Sequence, residues 1–202
     1  MVEAQRLRAE DRRNALIDAA AGLVASGGVE AVSMDAVAAR ANVSRPLVYK
    51  HFANRHELLA AVYRRQATEL DAAIAAAVGR AEGFEDKIRA LVRSTLEAVT
   101  THGPIFTPLA RAGVRDAAFR KEQRARDRRT VRFFARLAMA EYGLGEAEAT
   151  AATAVLLTGL DSIRAQARSR PGPDRRQFLE DLYVDLVVGG LANVGGATRP
   201  AG

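Results

Sequence analysis

Four side chains able to donate hydrogen bonds fall within seven consecutive residues: Arg45, Tyr49, Lys50 and His51, with Leu47 as an apolar neighbour. Guanidinium, phenol, ammonium and imidazole groups in one short segment suit phosphate oxygens and the acceptor edges of bases. Catalytic patterns are missing by comparison. There is no glycine-rich phosphate loop, no histidine and acid at metal-ligand spacing, and no nucleophile motif. Three histidines (His51, His56 and His102) and no cysteine leave little for acid–base chemistry and exclude disulfides and thiolate metal sites. Neither an enzyme nor a bound cofactor is expected.

The elements around these donors can be read from spacing. Ala15, Leu16, Ala19, Ala20, Leu23 and Val24 recur at helical intervals, which predicts a first helix from Arg12 to Ser26 ended by Gly27-Gly28. The polar residues before Arg12 are expected to be mobile. Ser33 is a suitable N-cap for a short second helix that carries Met34, Val37, Ala38 and Ala41 inward and stops near Asn42. Ser44 can cap a third, with Pro46 in its first turn and Leu47, Val48 and Phe52 on its apolar side. Two short helices joined by a tight turn after a longer one define a helix-turn-helix, whose second helix enters the major groove of DNA. Phe52 is expected in the core and Tyr49 on the exposed side.

Asn54 and Glu57 form a capping pair that opens a fourth helix, reaching Gly79. Beyond it, helices are expected over Glu85–Thr101, Asp116–Tyr142, Glu146–Arg168 and from an Asp174 cap to Asn193, with a short segment before Gly113. His102-Gly103-Pro104, Gly143-Leu144-Gly145 and Pro171-Gly172-Pro173 separate them. Ile88, Leu91, Val92, Thr95, Leu96 and Val99 make a continuous stripe on the fifth. No period-two strand pattern is present. The chain reads as all-α with about nine helices, a helix-turn-helix domain over 10–57 and a larger helical domain over 58–195.

Composition fits this picture. Thirty Lys and Arg face 24 Asp and Glu, a net charge of +6, and all but Lys50, Lys87 and Lys121 of the cations are arginine. A basic balance suits a nucleic-acid partner. Within residues 1–65 the excess is only ten to seven, so placement and not bulk charge must make the DNA face. No stretch approaches the ~18 apolar residues of a membrane span, and a cytoplasmic protein is expected.

The run from Ser33 to Leu59 resembles the DNA-binding signature of the TetR family of bacterial transcriptional regulators. Val43-Ser44, Tyr49-Lys50-His51-Phe52 and the basic residue followed by Glu57-Leu58-Leu59 carry the likeness, which covers residues 12–60. The resemblance implies that Arg45 reaches base edges and that the Tyr49 hydroxyl contacts a phosphate. It further implies that Pro46, Lys50 and His51 are contact positions and that Arg55 holds a phosphate at the start of the fourth helix. With Ser33, Ser44 and Leu47 these complete the expected DNA-facing set, while His56 is expected to have no role. Asp35 departs from the pattern, since some relatives present a base-reading cation there. It favours the helix N-terminus electrostatically, or alternatively accepts from a cytosine amine.

The family likeness also implies a homodimer and a small-molecule effector among the helices of the second domain, for which His102, Phe106, Thr107, Phe133 and Phe134 are the candidate contacts. The last two helices carry broad apolar faces, with Ala154, Thr158, Leu182 and Leu186 expected at a four-helix dimer interface. Residues 111–136 hold ten Lys and Arg against three acids. That run reads as a solvated helix face, with a site for an acidic ligand or a second DNA contact as the alternative. The leading expectation is a repressor that binds a near-palindromic operator and is released by an effector. The competing one is a DNA-binding regulator with no effector, controlled by a protein partner or by concentration.

Overall fold

The computed structural model describes residues 2–111 and 117–198. Among them it contains nine α-helices and one 3-10 turn: α1 (Val2–Gly27), the turn (Val29–Ala31), α2 (Met34–Arg40), α3 (Arg45–His51), α4 (Arg55–Arg80), α5 (Gly83–Thr101), α6 (Gly103–Arg111), α7 (Ala117–Tyr142), α8 (Glu146–Ser169) and α9 (Pro173–Thr198). The all-α expectation holds.

The ends of the elements show local chemistry at work. Ser33 Oγ accepts the Ala36 N–H at 3.0 Å and caps α2 as expected. Asn42, at φ 52°, closes that helix in the left-handed region. The N–H groups of Asn42 and Val43 donate to Ala39 and Ala38 carbonyls at 3.2 and 3.0 Å, a paired closure that fixes the turn between α2 and α3. Asn54 Oδ1 accepts the Glu57 N–H at 2.9 Å, and the Glu57 carboxylate reaches back to the Ala53 N–H at 2.7 Å.

Three boundaries differ from the sequence expectation. Helix α1 begins at Val2, not Arg12, because Gln5, Arg6, Leu7, Arg8, Ala9 and Glu10 are strong helix formers and extending an existing helix costs little. Pro173 is the first residue of α9, so Asp174 lies in the first turn instead of capping it. That helix also runs to Thr198, past Asn193 and through Gly195-Gly196. Tertiary packing explains the last case. A Cβ on Gly195 would stand 2.5 Å from the Tyr142 carbonyl oxygen, so only glycine permits this approach to the end of α7.

The chain packs as two units, 1–69 with 102–119 and 70–101 with 120–202. This differs from a division at 57/58, because the start of α4 and Ile105, Phe106 and Leu109 of α6 pack into the core of the first unit. Leu16, Ile17, Val24, Val37, Val48, Phe52, Leu58, Leu59, Val62 and Leu109 are buried there. In the second unit, Ile88, Leu91, Val92 and Leu96 of α5 pack with Phe134, Leu160, Leu179, Val184 and Leu191. Charge clamps join α5 to α9: Arg93 donates to Glu180 at 2.7 and 3.1 Å, and Arg89 donates to Asp181 at 2.8 Å. The Tyr183 hydroxyl donates to the Leu156 carbonyl at 2.6 Å, and its burial pushes the phenol well above its usual pKa.

Candidate nucleic-acid interface and an apolar cavity

Helix α3 divides its side chains cleanly. Val48 and the capping Phe52 are buried, and Leu47 and His51 are half-buried, so this side anchors the helix on the core of the first unit. Arg45, Pro46, Tyr49 and Lys50 stand exposed on the other side, two pairs four residues apart. Tyr49 is 44% exposed and Phe52 lies in the core, as the spacing predicts, while Leu47 and His51 fall on the anchoring side. Ser33 and Ser44 are also exposed. Ser44 occupies the N-cap position of α3 with extended backbone but makes no side-chain cap bond, which leaves its hydroxyl available to a phosphate.

Arg45 is already engaged in the free protein. Its Nε lies 3.1 Å from Asp35 Oδ1 on α2, and its Nη2 donates to the Tyr49 hydroxyl at 3.5 Å. The guanidinium also stands 5.5 Å from the Tyr49 ring centre. The Tyr49 hydroxyl and the Asp35 carboxylate both favour its charged form and raise its pKa further. Asp35 thus does more than complement a helix dipole: it holds the arginine in a defined pose beside the tyrosine. Burial, with Lys50, Arg13 and Arg12 close by, pushes the His51 imidazole below its usual pKa. That shift favours the neutral ring in the free protein.

Arg55 has a different environment from the one expected. Its Nε donates to the Val32 carbonyl at 2.7 Å and its Nη2 to the Val29 carbonyl at 2.5 Å. The guanidinium ties the start of α4 to the 3-10 turn that precedes α2. Sequence reasoning missed this structural employment, because the carbonyls lie more than twenty residues away in the chain.

In the second unit a cavity of about 750 Å³ opens among α4, α5, α7 and α8. Phe133 and Phe134, two of the five candidate contacts read from the sequence, line it. His102, Phe106 and Thr107 do not, because α6 packs on α1 in the first unit. There His102 Nδ1 lies 3.1 Å from Gln66 Oε1, and Phe106 meets the Tyr63 ring edge-on at 5.2 Å. The polar lining was not foreseen. Asp71 is ion-paired with Arg126, and Arg164 lies 3.2 Å from Asp161. Burial pushes the Asp71 carboxyl above its usual pKa, with Arg126 opposing in part. Thr95 sits in the apolar stripe of α5, and a hydroxyl among aliphatic neighbours is the signal that could have found it.

Ala154 and Thr158, expected at a dimer interface, line this cavity. Leu182 and Leu186 stand exposed on α9 at 38% and 60%, in line with Phe178 at 53%. Of the basic run, 112–116 (Val114, Arg115 and Asp116 among them) lies outside the described residues. From Arg124 onward, Arg124, Arg128, Arg129, Arg132 and Arg136 are exposed, while Arg126 turns to Asp71. No group of metal-ligating side chains occurs among the described residues, and no helix among them is long and apolar enough to cross a membrane.

Fold and site together define a helical protein whose N-terminal unit presents a helix-turn-helix with an exposed cationic and aromatic recognition face. Residues 16–62 match the family of bacterial regulatory proteins, tetR family. That segment, under a quarter of the chain, carries the DNA-binding part of this family's pattern. The chain is similar to the HTH-type transcriptional activator FasR of Mycolicibacterium smegmatis, 32% identical over 94 residues, which are 46% of this chain and 43% of that protein. It is similar to the HTH-type transcriptional repressor KstR of Mycobacterium tuberculosis, 39% identical over 70 residues, 35% of this chain and 30% of that one. The match thus spans less than half the length of these relatives. In fold it resembles a TetR-like transcriptional regulator from Rhodococcus sp. RHA1, with TM-score 0.66 and 24% identity over 90% of this chain and 96% of that one.

Proposed function

We propose that this chain is a homodimeric repressor that binds a near-palindromic operator through α3 and is released by a small molecule held in the second unit. The observation that carries the DNA reading is the split of α3 into a buried anchor, Val48 and Phe52, and an exposed row of Arg45, Pro46, Tyr49 and Lys50. A rigid helix seated this way can enter the major groove with its first turn toward base edges. Arg45 then reads a base through its bidentate fork. Ser33, Ser44, Tyr49 and Lys50 hold phosphates, and so does His51 once protonated. Leu47, half-buried, contributes at most the rim of an apolar contact.

The exposed stripe of Phe178, Leu182 and Leu186, with Val155 73% exposed on α8, supports pairing of α8 and α9 with a second copy. Burying these side chains against their symmetry mates removes an apolar patch from water. The cavity, lined by Phe133 and Phe134, is of the size that takes a small molecule. It favours effector control over regulation by concentration or a protein partner alone. The repressor assignment follows the name of KstR, while FasR carries the opposite sign. Release requires that effector and DNA prefer different spacings of the two recognition helices. A regulator of this kind acts where the DNA is, in the cytoplasm.

The test is selection of bound fragments from genomic DNA by the purified protein, followed by affinity and stoichiometry on the enriched site. The expected result is an inverted repeat bound by two copies per operator. Enrichment of no common sequence would overturn the reading.

A further inference from the structure

Arg12 and Arg13 lie on α1, one helical turn before Leu16 and Ile17, which are buried in the same core as Val48 and Phe52. That register puts the two arginines at the rim of the core. The Arg13 guanidinium stands 4.8 Å from the centre of the Phe52 ring, the residue that closes α3. An arginine resting on an aromatic face keeps its edge N–H groups for other acceptors. Among the described residues neither guanidinium is bonded to a carboxylate or a carbonyl.

Lys50 and His51 form the last turn of α3, Lys50 exposed and His51 half-buried. After burial, the influences that lower the His51 pKa are the charges of Lys50, Arg13 and Arg12, and no carboxylate is among them. Three cations from two helices thus gather at one end of α3. Other arginines of the same unit are engaged within the protein: Arg45 with Asp35, Arg55 with two carbonyls, Arg65 with Asp18. Like charges held together repel, and an anion seated among them relieves that repulsion.

We propose that Arg12 and Arg13 join Lys50 in a phosphate site at the C-terminal end of α3, whose occupant is a phosphodiester of the DNA backbone. The proposal rests on the DNA reading above and adds α1 to the contact surface. From Arg45 to His51 the axis of α3 rises about 9 Å. A helix of that length with its first turn at base edges brings its last turn out to the wall of a groove about 12 Å wide. Arg13, held on Phe52, meets the strand there with donors in the fork geometry that suits phosphate oxygens. Such a contact fixes position and reads no sequence.

The test uses the full-length protein and a short labelled duplex of mixed sequence, because a phosphate contact does not need the operator. Fluorescence anisotropy across a salt series gives affinity and slope. Arg12→Gln with Arg13→Gln should weaken binding about tenfold per protomer at ~0.1 M salt and flatten the log-affinity versus log-salt slope by about one unit per protomer. Arg12→Gln alone, at an exposed position without a partner, should move both in the same direction and leave the melting temperature as it was. Arg13→Lys keeps the charge and can rest on the same ring, so it should retain most of the slope. Arg168→Gln with Arg170→Gln removes two exposed charges at the end of α8 and should leave the slope unchanged.

If the Arg12 and Arg13 variants keep the wild-type slope, or the α8 pair flattens it as much, the α1 site fails while the DNA reading stands. An Arg13→Gln variant that melts lower with its slope intact would make Arg13 an anchor of Phe52 alone, and would overturn the proposal as well. If wild type binds no duplex even at low salt, the DNA reading itself falls.

Discussion

Arg55 offers the sharpest contest between a sequence expectation and the structure. As a phosphate contact its loss would spare the fold. As built, its guanidinium donates to the Val32 and Val29 carbonyls at 2.7 and 2.5 Å and so closes the turn leading into α2. The side chain is 40% exposed, and the nearby Glu30 at 3.8 Å is 95% exposed and adds little. Two hydrogen bonds from a charged donor would contribute ~3–6 kcal/mol if fully buried. Solvent access reduces that to roughly 2 kcal/mol. Arg55→Met keeps the aliphatic stem and removes the donors, so it isolates this quantity. For a chain of this size the loss corresponds to a fall of about 4–8 °C in Tm. Thermal unfolding followed by circular dichroism, beside a salt titration of operator binding, measures both roles. A variant that melts within a degree or so of wild type while its log-affinity versus log-salt slope flattens would refute the structural role and restore the phosphate contact.

The remaining predictions concern the recognition face and the assembly. Arg45→Ala should relax the preference at one base pair in each half-site, read by affinities for single-base operator variants; an unchanged preference would move base reading to Lys50, His51 or Asp35. Asp35→Asn should release Arg45, tighten non-specific DNA binding and steepen the salt dependence by about one unit per protomer, whereas loss of preference at a single cytosine would make Asp35 itself a base reader. Because the His51 pKa is held low and a phosphate favours the protonated ring, DNA binding should take up a proton at this site. Operator affinity should then rise from pH 8 to pH 6 in wild type and less so in His51→Gln; equal pH profiles would remove His51 from the contact set. Leu182→Asp with Leu186→Asp should give monomers by light scattering, since charges would enter the proposed bundle, and a dimer that persists would place the interface elsewhere.

The helix-turn-helix was legible because its determinants are local. Ser33 caps within three residues, Asn42 closes α2 within five, and the alternation of Val48 and Phe52 with Arg45 and Tyr49 is a matter of helical period. Capping, turn closure and amphipathic spacing act over one or two turns of chain, so sequence alone determined where α3 lies and which side of it faces out. The same holds for the all-α class and for most helix boundaries. One boundary failed because distant packing intervened, at Gly195, whose glycine is required by the Tyr142 carbonyl and not by a helix end.

The cavity of the second unit had no such local signature. Its lining comes from four helices spread over nearly a hundred residues, and which aromatic faces the cavity depends on which helix lies opposite. Phe133 and Phe106 are alike in sequence terms, yet α7 carries the first to the cavity and α6 packs the second on α1. The partners of Arg45, Arg55 and Arg126 were hidden for the same reason. Charge at a position follows from the residue, but whether that charge is spent on Asp35, on two backbone carbonyls or on Asp71 is settled only when non-adjacent elements meet in the folded chain.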